Sequence, residues 1–237
     1  MSLEVKNLVS GYGHVRVLRG VSIVAERSRI TSLLGANGAG KSTLLKTIYG
    51  FLKPKRGKII LDGEDIRGLK PYTLLKKGVG YVLQRKSVFP YMKVTKNLEL
   101  GGYILKKEKL KQRMKEVYDL FPRLKERKDV KAGNLSAGEQ RMLEIARALM
   151  VEPKILILDE PTLGLAPKMV ELLFQKIEET NKIEQTTILF AEQNVRKALA
   201  VSHYAYVLDL GRISVEGCSE SLLKDKDLAK YILGVHK

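Results

Sequence analysis

The chain has 237 residues, 44% hydrophobic and 29% charged, proportions that suit a folded globular protein and exclude a disordered one. It carries 43 Lys and Arg against 26 Asp and Glu, a formal net charge of +17, which admits anionic lipid or nucleic acid as partners, yet the basic residues are dispersed and lack the interleaved aromatics of a nucleic-acid platform. No apolar run approaches the ~20 residues needed to cross a bilayer, Met1 to Val5 lacks a basic-then-apolar leader, and the single Cys218 has no partner for an internal disulfide, as in a reducing compartment.

Strand-like apolar runs alternate with helix-like stretches, the pattern of an α/β protein. Leu3 to Val9 opens as a strand. Ile30 to Leu34 is a short buried strand leading into a Gly-rich loop, and a helix follows from about Ser42 to Tyr49. Lys58 to Leu61 is a strand closed by an Asp62-Gly63 turn, and Val79 to Leu83 is another. Residues from about Lys96 to Leu124 are mainly helical, interrupted at Gly102. The basic stretch from Lys106 to Lys131 reads as helical: Leu105, Leu110, Met114, Val117, Leu120, Phe121 and Leu124 recur at intervals of three to five, with basic residues mostly between them as on a solvated helix face. Ile155 to Leu158 is fully apolar, as a strand deep in a parallel sheet is. Thr186 to Phe190 is the next strand, and Tyr204 to Leu208 with Ile213 to Glu216 forms a hairpin across Asp209 to Arg212. The helical middle between early and late strands reads as a subdomain inserted into the α/β core.

The run Gly35-Ala36-Asn37-Gly38-Ala39-Gly40-Lys41-Ser42 matches the phosphate-loop pattern G-x-x-x-x-G-K-[ST] in full, with a strand before it and a helix after. Its glycines let the backbone wrap an anion and aim N–H groups at phosphate oxygens, and the helix start adds positive dipole. Lys41 is placed for the β- and γ-phosphates and the Ser42 hydroxyl for magnesium. Four apolar residues then deliver Asp159 and Glu160 to a strand tip: Asp159 to hold magnesium, Glu160 to orient and deprotonate an attacking water. Further along the same logic, Leu135-Ser136-Ala137-Gly138-Glu139-Gln140 opens a helix, Ser136 with Glu139 making a capping box whose terminus is also an anion site.

These motifs, in this order and over nearly the whole chain, resemble the ATP-binding subunit of ABC transporters. The resemblance implies an α/β fold: a P-loop NTPase core of the ABC type with an antiparallel β-subdomain and an inserted α-helical subdomain at approximately 85–150, all within one ATP-binding domain, 1–237. It implies ATP and Mg2+ as ligands. Gly35 to Ser42 with Thr43 then bind nucleotide, Tyr12 stacks on adenine, and Gln84 joins Ser42 and Asp159 in sensing the metal and the γ-phosphate. It implies head-to-tail pairing of two ATP-binding subunits, so that Ser136, Ala137, Gly138 and Glu139 of one chain act on the nucleotide of the other, with Pro161 to Ala166 crossing between them. Multi-span permeases docked near Gln84 and the helical subdomain receive the stroke.

Two positions depart from the family pattern. Leu135 to Gln140 resembles the family's Leu-Ser-Gly-Gly-Gln-like signature, and Ala137 stands where its first glycine usually lies, a strained choice if its φ is positive. Gln193 stands where a switch histidine is usual, and an amide can hydrogen-bond a γ-phosphate but carries no charge. Glu192-Gln193-Asn194, Leu163 to Pro167 and Val88-Phe89-Pro90 together resemble the shorter ATPase subunit of branched-chain amino acid importers, with relatives for urea or amides. That branch implies a non-identical sister ATPase, two permeases, an external solute-binding protein, and a position on the cytoplasmic face of the membrane. The alternatives are a soluble ABC-type ATPase acting on nucleic acid or ribosomes, favoured by the charge but opposed by the single phosphate loop and the absence of sustained heptads, and a P-loop kinase, opposed by the signature and Glu160.

Overall fold

The computed structural model describes residues 1–225; the remainder of the expected 1–237 domain lies outside the described residues. In chain order the elements are β1 (Leu3–Tyr12), β2 (Val15–Ala25), β3 (Ile30–Leu34), α1 (Lys41–Ile48), β4 (Arg56–Leu61), β5 (Glu64–Asp65), α2 (Pro71–Lys76), β6 (Val79–Val82), α3 (Val94–Gly101), α4 (Lys107–Leu120), α5 (Pro122–Glu126), α6 (Ala137–Leu149), β7 (Ile155–Asp159), α7 (Pro167–Glu184), β8 (Thr187–Glu192), α8 (Val195–Val201), β9 (Tyr204–Asp209), β10 (Arg212–Cys218) and α9 (Ser219–Lys224).

The strands form two sheets. The larger has the order β10-β9-β3-β8-β7-β6 and is parallel from β9 to β6, with β10 antiparallel at its edge. The smaller is antiparallel, in the order β2-β1-β4-β5. The continuous apolar runs have a direct cause, because the larger sheet is covered on both faces. Ile155 and Ile157 of β7 pack with α1 and the smaller sheet, while Leu156 and Leu158 pack with the helices of the opposite face.

Between β6 and β7 the chain runs through α3, α4, α5 and α6 without a named strand. The apolar face read over 105–124 is the buried one: Val117, Leu120, Phe121 and Leu124 are core, and Leu110 and Met114 pack against it. Two details differ from the sequence reading. The basic stretch is not one helix, since Phe121 (φ −123°, ψ 70°) leaves the helical region before Pro122, whose ring disfavours a helical residue ahead of it, and α5 ends at Glu126. Nor are its basic residues all solvated. Arg113 is 4% exposed, donates from Nη2 to Leu149 O at 2.8 Å and to Glu184 Oε1 at 2.6 Å, and so ties α4 to the ends of α6 and α7.

Sequence reading also passed over β2 and α7. In β2 the buried positions are Leu18, Val21, Ile23 and Ala25, and register shifts against β1 between Val5 and Leu8, Leu8 and Val9, and Ser10 and Gly11 break the simple alternation. Arg113→Met leaves Glu184 and the Leu149 carbonyl without their partner and is expected to cost about 3 kcal/mol in urea unfolding, whereas Arg113→Met with Glu184→Leu recovers most of that loss.

Candidate functional site

Four neighbouring parallel strands end on one side of the larger sheet. β3 runs into the loop at Gly35, β8 ends at Glu192 and precedes Gln193, β7 ends at Asp159 and precedes Glu160, and β6 leads to Gln84. Open α/β sheets bind ligands at such carboxyl edges.

The loop has a backbone that restricts its sequence. Gly35 has φ 149°, and a Cβ there would collide with the Leu208 carbonyl. Gly40, the N-cap of α1, has φ 111°. The turn between β9 and β10 holds the loop from behind, with Gly211 N donating to Ala39 O at 3.0 Å. Ala36, Asn37 and Gly38 are exposed, and Ala39, Lys41 and Thr43 are buried. A cleft opens over Gly38, Gly40, Lys41, Ser42, Thr43 and Glu160, with Val17 of β2 as one wall.

Lys41 is 4% exposed, and its ammonium is satisfied from within the chain. It donates to Gly35 O at 2.8 Å and Ala36 O at 3.1 Å, and lies 3.4 Å from Glu160 Oε1. The other Glu160 oxygen accepts from Gln84 Nε2 at 2.7 Å. Ser42 Oγ donates to Asp159 Oδ1 at 2.8 Å, and Tyr81 OH donates to Asp159 Oδ2 at 3.1 Å. Burial holds the Asp159 carboxyl above its ordinary pKa, against the lowering effect of those two hydrogen bonds. Glu160 has φ 45°, a left-handed conformation that costs a non-glycine residue about 1–3 kcal/mol and persists where the surrounding contacts enforce it.

The other sequence-predicted residues lie outside this cluster. Tyr12 ends β1 and is 47% exposed. Gln193 is exposed, its N–H donating to Glu192 Oε2 at 3.1 Å. Ser136 and Glu139 complete the capping box, with Ser136 N to Glu139 Oε2 at 2.9 Å and Glu139 N to Ser136 Oγ at 3.3 Å, and Arg123 Nε reaches Glu139 Oε1 at 3.0 Å. Their hydrogen bonds among the described residues do not reach the loop. Ala137 is the first residue of α6 and is not among the positive-φ residues, so the feared strain is absent. Gly138 is buried against Met169 of α7.

Sequence reading missed a set of side chains on α6. Arg141 Nη1 donates to Leu83 O at 2.7 Å, Nη2 to Gln84 O at 3.0 Å and Glu160 O at 3.2 Å, and Nε to Pro161 O at 2.9 Å. Glu144 takes Arg141 Nη1 at 2.8 Å and accepts the Ser87 N–H, while Arg147 donates to Ser87 O and Oγ, each at 2.8 Å, and stacks over Phe89. The helical spacing 141, 144, 147 was the available signal: three charged residues one turn apart in a stretch of α6 that is otherwise apolar after Gln140. Glu192, read in sequence only as part of the Glu192-Gln193-Asn194 string, has a bonding role that the string does not show. It is 3% exposed and binds the N–H and hydroxyl of Thr162 at 3.0 and 2.6 Å, joining the segment after β7 to the end of β8.

The family model described as ABC transporter matches residues 18–163 of this chain, which span both the phosphate loop and Asp159-Glu160. The chain belongs to the ABC transporter family. It is an ATPase of the ABC type. The chain is 42% identical to the high-affinity branched-chain amino acid transport ATP-binding protein BraG of Pseudomonas aeruginosa, over 94% of this chain and 95% of the relative. It is 38% identical to the probable branched-chain amino acid transport ATP-binding protein LivF of Archaeoglobus fulgidus, over 98% and 99%. The structure of the ADP conformation of an ATP-binding cassette of an ABC transporter superposes with a TM-score of 0.88 at 30% identity, covering 99% of both chains. In this ABC-type ATPase, no helix among the described residues is long and apolar enough to cross a membrane.

Arg141 serves four backbone carbonyls around Gln84 and Glu160, so Arg141→Met is expected to leave ATP affinity within about threefold while lowering turnover by about 10²-fold, through displacement of reacting groups by a fraction of an ångström. Equilibrium nucleotide binding and steady-state phosphate release on the same preparation check both halves.

Proposed function

We propose that this ATPase powers the import of branched-chain amino acids, or of a related small polar solute, from the cytoplasmic face of the membrane. The observation that carries the chemistry is the convergence of Lys41, Ser42, Asp159, Glu160 and Gln84 at one edge of a parallel sheet. The solute class is supported by full-length similarity to BraG and LivF.

In this reading the N–H groups of Gly35, Ala36, Asn37, Gly38, Ala39, Gly40, Lys41, Ser42 and Thr43 receive the phosphates, and the Tyr12 ring stacks on the base. Lys41 exchanges the Gly35 and Ala36 carbonyls for phosphate oxygens. Ser42 Oγ and Asp159 Oδ1, 2.8 Å apart, are the two hard oxygens a protein typically gives a magnesium ion when phosphates and water complete its shell, with Gln84 nearby. Among the described residues no group of three or more His, Cys, Asp or Glu forms a metal cage, which fits that division of ligands. Bound there, the cation would neutralise developing phosphate charge. Glu160, oriented by Gln84, takes the proton of the attacking water, and Gln193 hydrogen-bonds the γ-phosphate without adding charge.

Ser136, Ala137, Gly138 and Glu139 act, in this reading, on the nucleotide of a second, non-identical ATP-binding subunit; within one chain Ser136 and Glu139 bond to each other rather than to the loop. Residues of about 85–150 move as a helical subdomain. A cleft of about 400 Å³ beside it, lined by Leu75, Tyr81, Phe89, Leu100, Tyr103 and Arg147, receives a segment of a multi-span permease, which links the ATPase indirectly to an external solute-binding protein. The γ-phosphate shared between subunits gives the differential contact a switch requires.

Lys41→Ala is expected to lose ATP binding and turnover. Glu160→Gln is expected to keep ATP binding, lose turnover and accumulate as an ATP-bound dimer in size-exclusion chromatography; unaltered hydrolysis would remove Glu160 from the role of base. Affinity isolation from gently solubilised native membranes tests the physiological reading. Recovery of permeases with a sister ATPase and an amino-acid-binding protein supports it. Permeases for another solute class overturn the amino acid part, and recovery of ribosomes or nucleic acid without membrane proteins overturns the transporter part.

A further inference from the structure

Asp159 is fully buried, and each of its carboxylate oxygens has a separate partner. Oδ1 accepts from Ser42, the residue after Lys41 on α1, and Oδ2 accepts from Tyr81 on β6 at 3.1 Å. The Tyr81 ring is itself fixed. It packs at 4.9 Å between centroids against Tyr49, the C-cap of α1, and meets the Phe51 ring edge-on at 5.5 Å, with Tyr49 and Phe51 5.2 Å apart. The start of α1 therefore supplies the hydroxyl on one carboxylate oxygen. The end of the same helix supplies the aromatic wall that aims a phenol at the other. A carboxylate restrained at one oxygen can still swing about its Cβ–Cγ bond; one restrained at both presents a fixed edge.

We propose that Tyr81 is a positioning residue for the metal-binding edge of the site, its hydroxyl orienting Asp159 so that Oδ1 stays beside the Ser42 hydroxyl. The inference rests on the reading of Asp159 as a magnesium-binding residue. Tyr81→Phe removes the hydroxyl and keeps the ring, leaving the buried Oδ2 unpaired and the carboxylate free to turn. Loss of such outer partners weakens metal binding by about 10–100-fold.

The test titrates Mn2+ into the full chain saturated with a non-hydrolysable ATP analogue, with bound metal read by electron paramagnetic resonance. Nucleotide affinity is measured in parallel in the presence of a chelator. For Tyr81→Phe the expected result is Mn2+ affinity about tenfold weaker, with metal-free nucleotide affinity and thermal midpoint close to those of the parent. Unchanged Mn2+ affinity in Tyr81→Phe, when Asp159→Asn loses it, overturns the role of Tyr81 and leaves the metal reading standing. Unchanged Mn2+ affinity in Asp159→Asn overturns the metal reading and the inference with it. An equal loss of metal-free nucleotide binding in Tyr81→Phe shows a general disturbance of the site and also overturns the proposal.

Discussion

A lysine ammonium buried at the mouth of a phosphate loop has to be satisfied before any phosphate arrives, and much of this site is arranged around that requirement. Lys41 solves it with two loop carbonyls and one oxygen of Glu160. Charge removed from water without a partner is costly, and these three oxygens offset the cost of burying the ammonium. The pairing also fixes one oxygen of Glu160 against the phosphate loop.

The same carboxylate sits on an unfavourable stretch of backbone, at φ 45°. Strain of this kind survives only where its surroundings over-determine it. Here the Glu160 N–H donates to Ala191 O at 3.1 Å across the sheet, and Arg141 donates to the Glu160 and Pro161 carbonyls. Gln84 holds the side chain, and Arg141 holds the backbone of Gln84 as well. The end of β7 is thus the common anchor, bonded to the phosphate loop through Lys41 and Ser42 and to the end of β6 through Gln84 and Tyr81.

Much of this was legible in the sequence. The run from Gly35 to Ser42 places itself because its glycines, lysine and serine need one backbone shape, and the apolar run before Asp159 places that residue at a sheet edge because only a doubly covered strand is apolar on both faces. The capping box at Ser136 was legible for the same local reason. Non-local facts were not. Nothing near Arg113 in sequence distinguishes a buried guanidinium from a solvated one, and the spacing of Arg141, Glu144 and Arg147 marks a charged stripe without naming its partners, since the carbonyls these arginines satisfy lie on other elements. Tyr81 reads as one more strand aromatic until β6 and β7 are seen side by side. Strand β2 hid behind an irregular register, and the break at Phe121 depended on weighing Pro122 above the apolar periodicity.

The three-point attachment of residues 83–87 to α6 has a consequence for how such chains can be recombined. Leu83, Gln84 and Ser87 contribute mainly backbone groups, while Arg141, Glu144 and Arg147 contribute side chains. Backbone acceptors are the same in any sequence, but their spacing is not. A hybrid built by grafting a foreign loop after β6 would keep the Leu83 and Gln84 carbonyls for Arg141 and still miss Glu144 and Arg147 if it were one residue longer or shorter before position 87. The loop and the helix are therefore one heritable unit, exchangeable together between related proteins and poorly exchangeable apart.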